Sequence, residues 1–168
     1  MLRTWTCRCC GKQYNQLPLD VALEVPDPWL DIPETERTTR GKIDSDRCII
    51  DHEFFFIRGC LEVPIIDHER PFIWGVWVSV AKPNFVRILD LWDENIREGD
   101  PPMFGWLCNN ISGYPQTFAL KTNVYLRNNN ARPFIELEPT DHPLALEQHH
   151  GITLARVEEI VSASTTSH

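Results

Sequence analysis

Residues 53–80 hold two runs dense in β-branched and aromatic side chains, Glu-Phe-Phe-Phe-Ile-Arg-Gly-Cys-Leu-Glu-Val-Pro-Ile-Ile and Phe-Ile-Trp-Gly-Val-Trp-Val-Ser-Val, separated by Asp-His-Glu-Arg-Pro. Side chains of this kind fit a pleated surface, and the charge and proline of 67–71 break strand pairing, so the stretch predicts a hairpin. With a period of two, Trp74, Val76, Val78 and Val80 share one face of the second strand, and Ile73, Gly75, Trp77 and Ser79 share the other. Large apolar groups on both faces need cover on both sides. The strand is therefore expected at the centre of a sheet.

A second hairpin is expected further on. Phe118, Leu120, Thr122, Val124 and Leu126 alternate with Thr117, Ala119, Lys121, Asn123 and Tyr125, the asparagines 128–130 tolerate a left-handed turn, and 132–138 returns with Phe134, Glu136 and Glu138 opposite Ile135 and Leu137. Between the hairpins, Asn84 caps a short amphipathic helix carrying Phe85, Ile88, Leu89 and Trp92, and 103–114 reads as a compact apolar loop or short strand. Thr140, Asp141, His142 and Pro143 open a helix that Gly151 ends, and a last helix spans about 153–161. From 17 to 46 the prolines 18, 26, 28 and 33 exclude a long helix, leaving a surface arm with a short helix at 19–24 and Trp29 and Leu30 as anchors.

The expected architecture is α+β: an antiparallel sheet built from two hairpins, helices packed on one side, and an N-terminal cysteine knuckle. At this length one domain is expected over 1–168, with 1–16 as the knuckle, 17–47 as a Pro- and acid-rich arm, 48–161 as the core and 162–168 as a frayed tail.

Cys7 and Cys10 form a C-x-x-C followed by Gly11, the local shape of a zinc knuckle, in which two thiolates bind one ion as the turn bends its amides toward the sulfurs. No other C-x-x-C exists in the chain. Cys48 and His52, just before the first hairpin, are the candidates that complete a tetrahedral zinc site, while the alternative is a buried apolar Cys48 and a knuckle without metal. The formal net charge of -8 repels nucleic-acid backbone and anionic membrane and attracts a basic protein. No apolar run reaches signal-peptide or bilayer-crossing length, so a cytoplasmic location is expected.

The carboxylates cluster twice. Asp90, Asp93, Glu94, Glu98 and Asp100 flank Trp92 with one Arg97 among them, and Asp27, Asp31, Glu34 and Glu36 lie in the arm. Either run is also what a solvated face looks like. The chain has no G-x-S-x-G, phosphate-binding glycine loop, G-x-G-x-x-G or H-E-x-x-H.

Cys-x-x-Cys-Gly near the start, Phe-Phe-Ile-Arg-Gly-Cys-Leu-Glu-Val-Pro-Ile at 55–65, Trp-Gly-Val-Trp-Val-Ser-Val at 74–80, Phe-Gly-Trp-Leu at 104–107 and Ile-Glu-Leu-Glu-Pro-Thr-Asp-His-Pro-Leu-Ala at 135–145 resemble the bacterial family of uncharacterised proteins DUF2199. The resemblance spans nearly the whole chain and implies a small bacterial protein with an N-terminal knuckle. Tyr14 stands where the resemblance leads one to expect a histidine, and His52 would take that ligand's place.

With no catalytic signature and clustered carboxylates, a non-catalytic binding protein is expected, of the immunity class that neutralises a bacterial toxin by covering its basic active cleft. Its docking residues would be Trp92, Asp93, Glu94, Glu98 and Asp100 first, and Asp27, Asp31, Glu34 and Glu36 second. The alternative is a zinc-containing enzyme or regulator using Asp141 and His142.

Overall fold

The computed structural model describes residues 17–92, 100–128 and 131–165, with the backbone of 5–6 and 13–14. The predicted first hairpin is present as β6 (Phe54–Val63) and β7 (Phe72–Val80), paired antiparallel from Phe55↔Val80 to Val63↔Phe72. These are the two longest strands. The others, in chain order, are β1 (Trp5–Thr6), β2 (Gln13–Tyr14), β3 (Asp20–Ala22), β4 (Gly41–Ile43), β5 (Arg47–Ile50), β8 (Met103–Leu107), β9 (Lys121–Tyr125) and β10 (Phe134–Leu137). Among the described residues five helices accompany them: α1 (Asp27–Leu30), α2 (Arg37–Arg40), α3 (Lys82–Leu91), α4 (Pro143–His150) and α5 (Leu154–Thr165), with a 3-10 turn at Glu34–Glu36.

Strands β6 to β10 run as a meander, each antiparallel to the one before, and β10 then pairs in parallel with β6 at Phe134↔Cys60. The result is a closed five-stranded barrel. Five strands that alternate in direction leave the first and last pointing the same way, so such a ring closes only through a parallel pair. Phe55, Ile57, Leu61 and Val63 of β6 meet Phe72, Trp74, Val76, Val78 and Val80 of β7, Met103 and Leu107 of β8, Val124 of β9, and Ile135 and Leu137 of β10 in one buried core. A barrel this narrow is filled by its own side chains.

The seam between β10 and β6 depends on two residues. A Cβ at Gly59 would lie 2.6 Å from the Ile135 side chain and 2.9 Å from the Pro133 carbonyl oxygen, so only glycine lets the strands approach, and the Cys60 amide then donates to Pro133 at 2.8 Å. Beyond that point the strands splay. Gln148 of α4 fills the gap: its Oε1 accepts from the Leu137 amide at 2.7 Å, and its Nε2 donates to Ile135 at 2.9 Å and to Glu62 at 3.3 Å. At the other end of the barrel, Phe85 of α3 packs on Phe55 with ring centroids 5.0 Å apart.

The length of the hairpin lets each strand serve two neighbours along its second edge. On β7, residues 73–75 pair with β3 and residues 78–79 with β8; on β6, residues 54–57 take β5, and Cys60 takes β10. Where the neighbours change, the side chain of buried Asn109 accepts from the Trp77 amide at 2.8 Å. The outward face of the hairpin is covered too. Phe56 and Trp77 join Cys48, Ile50, Cys108 and Ile32 in a second cluster, closed over by Trp29, so the two-faced apolar pattern of β7 reflects burial on both sides. Arg58, only 6% exposed, lies over the Trp77 ring and donates to the Leu23 and Ser45 carbonyls at 3.2 Å, and the Trp77 indole donates to the same Leu23 oxygen at 3.0 Å. These bonds tie the segment before α1 and the β4–β5 turn to the barrel wall.

This corrects the expected architecture. The sheet is not an antiparallel sheet of two hairpins with helices on one side; it is a closed mixed barrel with three further strands, β3, β4 and β5. The hairpins β6–β7 and β9–β10 both form, but β8, drawn from the stretch read as a loop or short strand, joins them, and the odd strand count then requires the parallel closure. The expected short helix at 19–24 is instead strand β3, held extended by pairing with β7. No cysteine knuckle is shown either: β1 and β2 pair around 7–12, which lie outside the described residues.

Gln148→Ala removes the donors and the acceptor of the splayed seam at once. It is expected to lower the free energy of unfolding by about 2–4 kcal/mol with an unchanged m-value in urea. A loss below about 0.5 kcal/mol would show that the seam does not depend on this amide.

Candidate protein-binding surface

The outward residues of β8, β9 and β10 form a wall that no other described element covers as the arm covers the β6–β7 face. On β8, Phe104 and Trp106 are 41% and 43% exposed and meet edge to face with centroids 4.9 Å apart. Register places Asn123 beside Phe104 and Lys121 beside Trp106 on β9, and Glu136 beside Asn123 on β10. One step along, Tyr125 pairs with Phe134, their rings 6.1 Å apart. Glu136 accepts from the Tyr125 hydroxyl at 3.4 Å and from the Asn123 amide at 3.5 Å. Partial burial and the Glu136 carboxylate push the Tyr125 hydroxyl up.

The wall runs into the splayed seam. There a cleft of about 310 Å³ opens between Glu62 and Pro64 of β6 and its following turn, Phe134 and Glu136 of β10, and Gln148 and His149 of α4. Arg127 donates to Glu62 at 2.5 Å, and His149 Nε2 lies 2.7 Å from the Leu137 carbonyl oxygen.

The arm carboxylates are largely engaged. Asp27 accepts from the Asn110 amide at 2.7 Å and the Asn109 side chain at 3.2 Å, pinning α1 to the loop after β8. Glu34 lies 3.9 Å from Arg37 and Glu36 lies 3.6 Å from Arg40, whereas Asp31 is exposed at the end of α1. In the other group Trp92 is half-buried against the main core and Asp100 is exposed, while Asp93, Glu94 and Glu98 lie outside the described residues. In the sequence that acidic segment precedes β8, with Asp100 three residues before the strand begins.

Of the expected zinc ligands, Cys7 and Cys10 lie outside the described residues. Cys48 is fully buried in the second cluster, and burial pushes its thiol up to about 12. His52 is exposed on the β5–β6 turn. Among the described residues no group of three or more His, Cys, Asp or Glu side chains is placed to hold a metal ion. His142 caps α4, its Nδ1 accepting from the Leu144 amide at 3.1 Å, which leaves the proton on Nε2, facing the Pro115 and Gln116 carbonyls at 3.2 and 3.1 Å. Asp141 beside it is exposed.

The wall itself was half legible in the sequence. The alternation of β9 and β10 assigns Asn123, Tyr125, Phe134 and Glu136 to outward faces, but no period reports which strands are neighbours. The exposed Phe104 and Trp106 carried no signal, since aromatic side chains within an apolar run read as core.

The fold and this face define a closed β-barrel with one aromatic and carboxylate-bearing wall open to solvent. The chain belongs to the bacterial family DUF2199, described as uncharacterized proteins conserved in bacteria, whose model matches residues 6–152. No curated protein and no solved structure matches it. Among the described residues no helix is long and apolar enough to cross a membrane.

The β5–β6 turn offers a test of His52. Asp51 and His52 both have φ of 54°, and the Glu53 amide donates to Ile50 at 3.0 Å, so the turn has two left-handed central residues, neither of them glycine. Arg40 grips Asp51 through two 2.9 Å bonds and holds its carboxyl below the usual range. His52→Gly is expected to raise the free energy of unfolding by roughly 0.5–1 kcal/mol in a urea titration. Destabilisation together with loss of stoichiometric zinc would instead make His52 a metal ligand.

Proposed function

We propose that this chain is a non-catalytic binding protein of the immunity class, which docks a basic bacterial toxin domain and covers its active cleft. The observation that carries this reading is the edge-to-face Phe104–Trp106 pair, two large aromatic rings left open on a barrel strand. Rigid aromatic side chains of this kind act as anchors at protein interfaces, since they bury much apolar area at little entropic cost. The choice of partner follows from charge. The net charge is -8, and the acidic segment 90–100 leads directly into β8, so a basic surface would be steered to the wall and held around its aromatic centre. Carboxylates on such a surface also mimic the anionic substrate that a toxin cleft binds. The family's distribution in bacteria suits the same role.

The test uses the intact chain as bait in a bacterial lysate, beside a Phe104→Ala/Trp106→Ala variant and an Asp93→Ala/Glu94→Ala variant. The expected result is one stoichiometric basic protein whose toxicity is relieved when the wild-type chain is co-expressed. The aromatic variant should bind it about 30- to 1000-fold more weakly, while the acidic variant should slow association and lose its effect at high salt. A partner held equally well by all three proteins, or one without toxicity, would overturn the reading.

A further inference from the structure

We propose that the cleft at the β10–β6 seam is a pocket for a planar organic cation, filled in the complex by an arginine side chain of the basic partner. This rests on the binding role proposed above and assigns the chemistry of one contact within it. Three observations converge on the cleft. First, its opening follows from the barrel's construction: β10 and β6 part beyond Phe134↔Cys60, and the backbone groups they would have exchanged are satisfied by Gln148 instead, so the gap is held apart and its floor is already hydrogen-bonded. A preformed concavity of about 310 Å³ is large enough for one arginine side chain.

Second, the charges in the cleft do not balance. Glu62, Glu69 and Glu136 line it with one arginine, Arg70, and the imidazoles of His68 and His149, and Arg127, outside the lining, engages Glu62. Glu136 is half-buried, and among the described residues no lysine or arginine pairs with it; its partners are the Tyr125 hydroxyl and the Asn123 amide, both at long range. A half-buried carboxylate in this state gains from a cation that also donates hydrogen bonds. Third, Phe134 stands two residues from Glu136 on the same face of β10, with the Tyr125 ring 6.1 Å away. Carboxylate beside aromatic face is the setting in which a guanidinium stacks with its plane while its edge forks onto the oxygens, something a point-like ammonium does less well.

Benzamidine and its neutral isostere benzamide separate charge recognition from apolar filling. Titrated to about 10 mM into isotope-labelled wild-type chain, benzamidine should shift the amide resonances of 62 and 134–137 saturably, and benzamide should not. Glu136→Gln should abolish the effect, whereas Glu138→Gln, the same charge change two residues along the strand, should preserve it. Equal shifts with benzamide, or shifts unchanged in Glu136→Gln, would overturn the pocket. A second arm measures the partner captured through the wall. Glu136→Gln should weaken it at least about tenfold, and Phe134→Leu should do so to a lesser degree. Full affinity in Glu136→Gln would overturn the arginine contact while leaving the aromatic wall as the interface, and failure to find any basic partner would instead remove the binding role itself.

Discussion

The parallel contact between β10 and β6 is the constraint on which the rest of the structure depends. A meander of five strands has no other way to close, and the closing contact is short: one register pair, one backbone bond to Pro133, and a glycine at 59 that leaves room for Ile135. Hydrogen bonds that two longer strands would have made are supplied by one side chain, Gln148, whose placement requires α4 to lie against that end of the barrel. His142 starts that helix and Gly151 ends it, so local capping chemistry and global closure are joined in eight residues. An unmade bond there would leave buried polar groups without water, which is why the seam is so fully bonded.

The long hairpin explains how the remaining strands fit. Strands of this length offer more edge than a narrow barrel uses, and the surplus is taken up by β3 on one side and β5 on the other. Those additions bring the arm with them, and the arm brings Trp29 and Ile32 over the outward face of β6 and β7. A buried arginine, Arg58, and the Trp77 indole both donate to the Leu23 carbonyl, and Arg58 donates to that of Ser45 as well. Half the barrel wall is thus wrapped by its own chain. The other half, β8 to β10, keeps its aromatic and acidic residues at the surface, and that asymmetry is the basis of the proposed binding role.

Much of the local structure could be read from residues alone. The hairpin at 54–80, the outward and inward faces of β9 and β10, the helix beginning at Pro143 and the two-sided burial of β7 all follow from periodicity and capping. Strand β8 was harder, because a period of two is obscured when Phe104 and Trp106 on the outside are as apolar as Met103 and Leu107 on the inside. Strand β3 was harder still, since Pro18 and Pro26 bound a segment too short to show a period, and it is extended because β7 offers it an edge. For the proposed binding surface, the acidic segment was visible as charge, but the engagement of Asp27, Glu34 and Glu36 by the chain itself was not, because their partners at 109–110, 37 and 40 are chosen by packing or by a helical turn formed within the arm.

Taken by itself, the sequence determined that the segments of β6, β7, β9 and β10 extend, how their side chains alternate, where α4 starts, and that the chain carries a net negative charge. These are properties of a few neighbouring residues and their solvation, and they persist whatever the chain packs against. The order of the strands, the parallel closure, the splay that opens the seam and the exposure of Phe104 and Trp106 were decided only by tertiary structure. Each depends on pairings between residues tens of positions apart, and the free energy that selects one pairing over another is a property of the closed barrel as a whole.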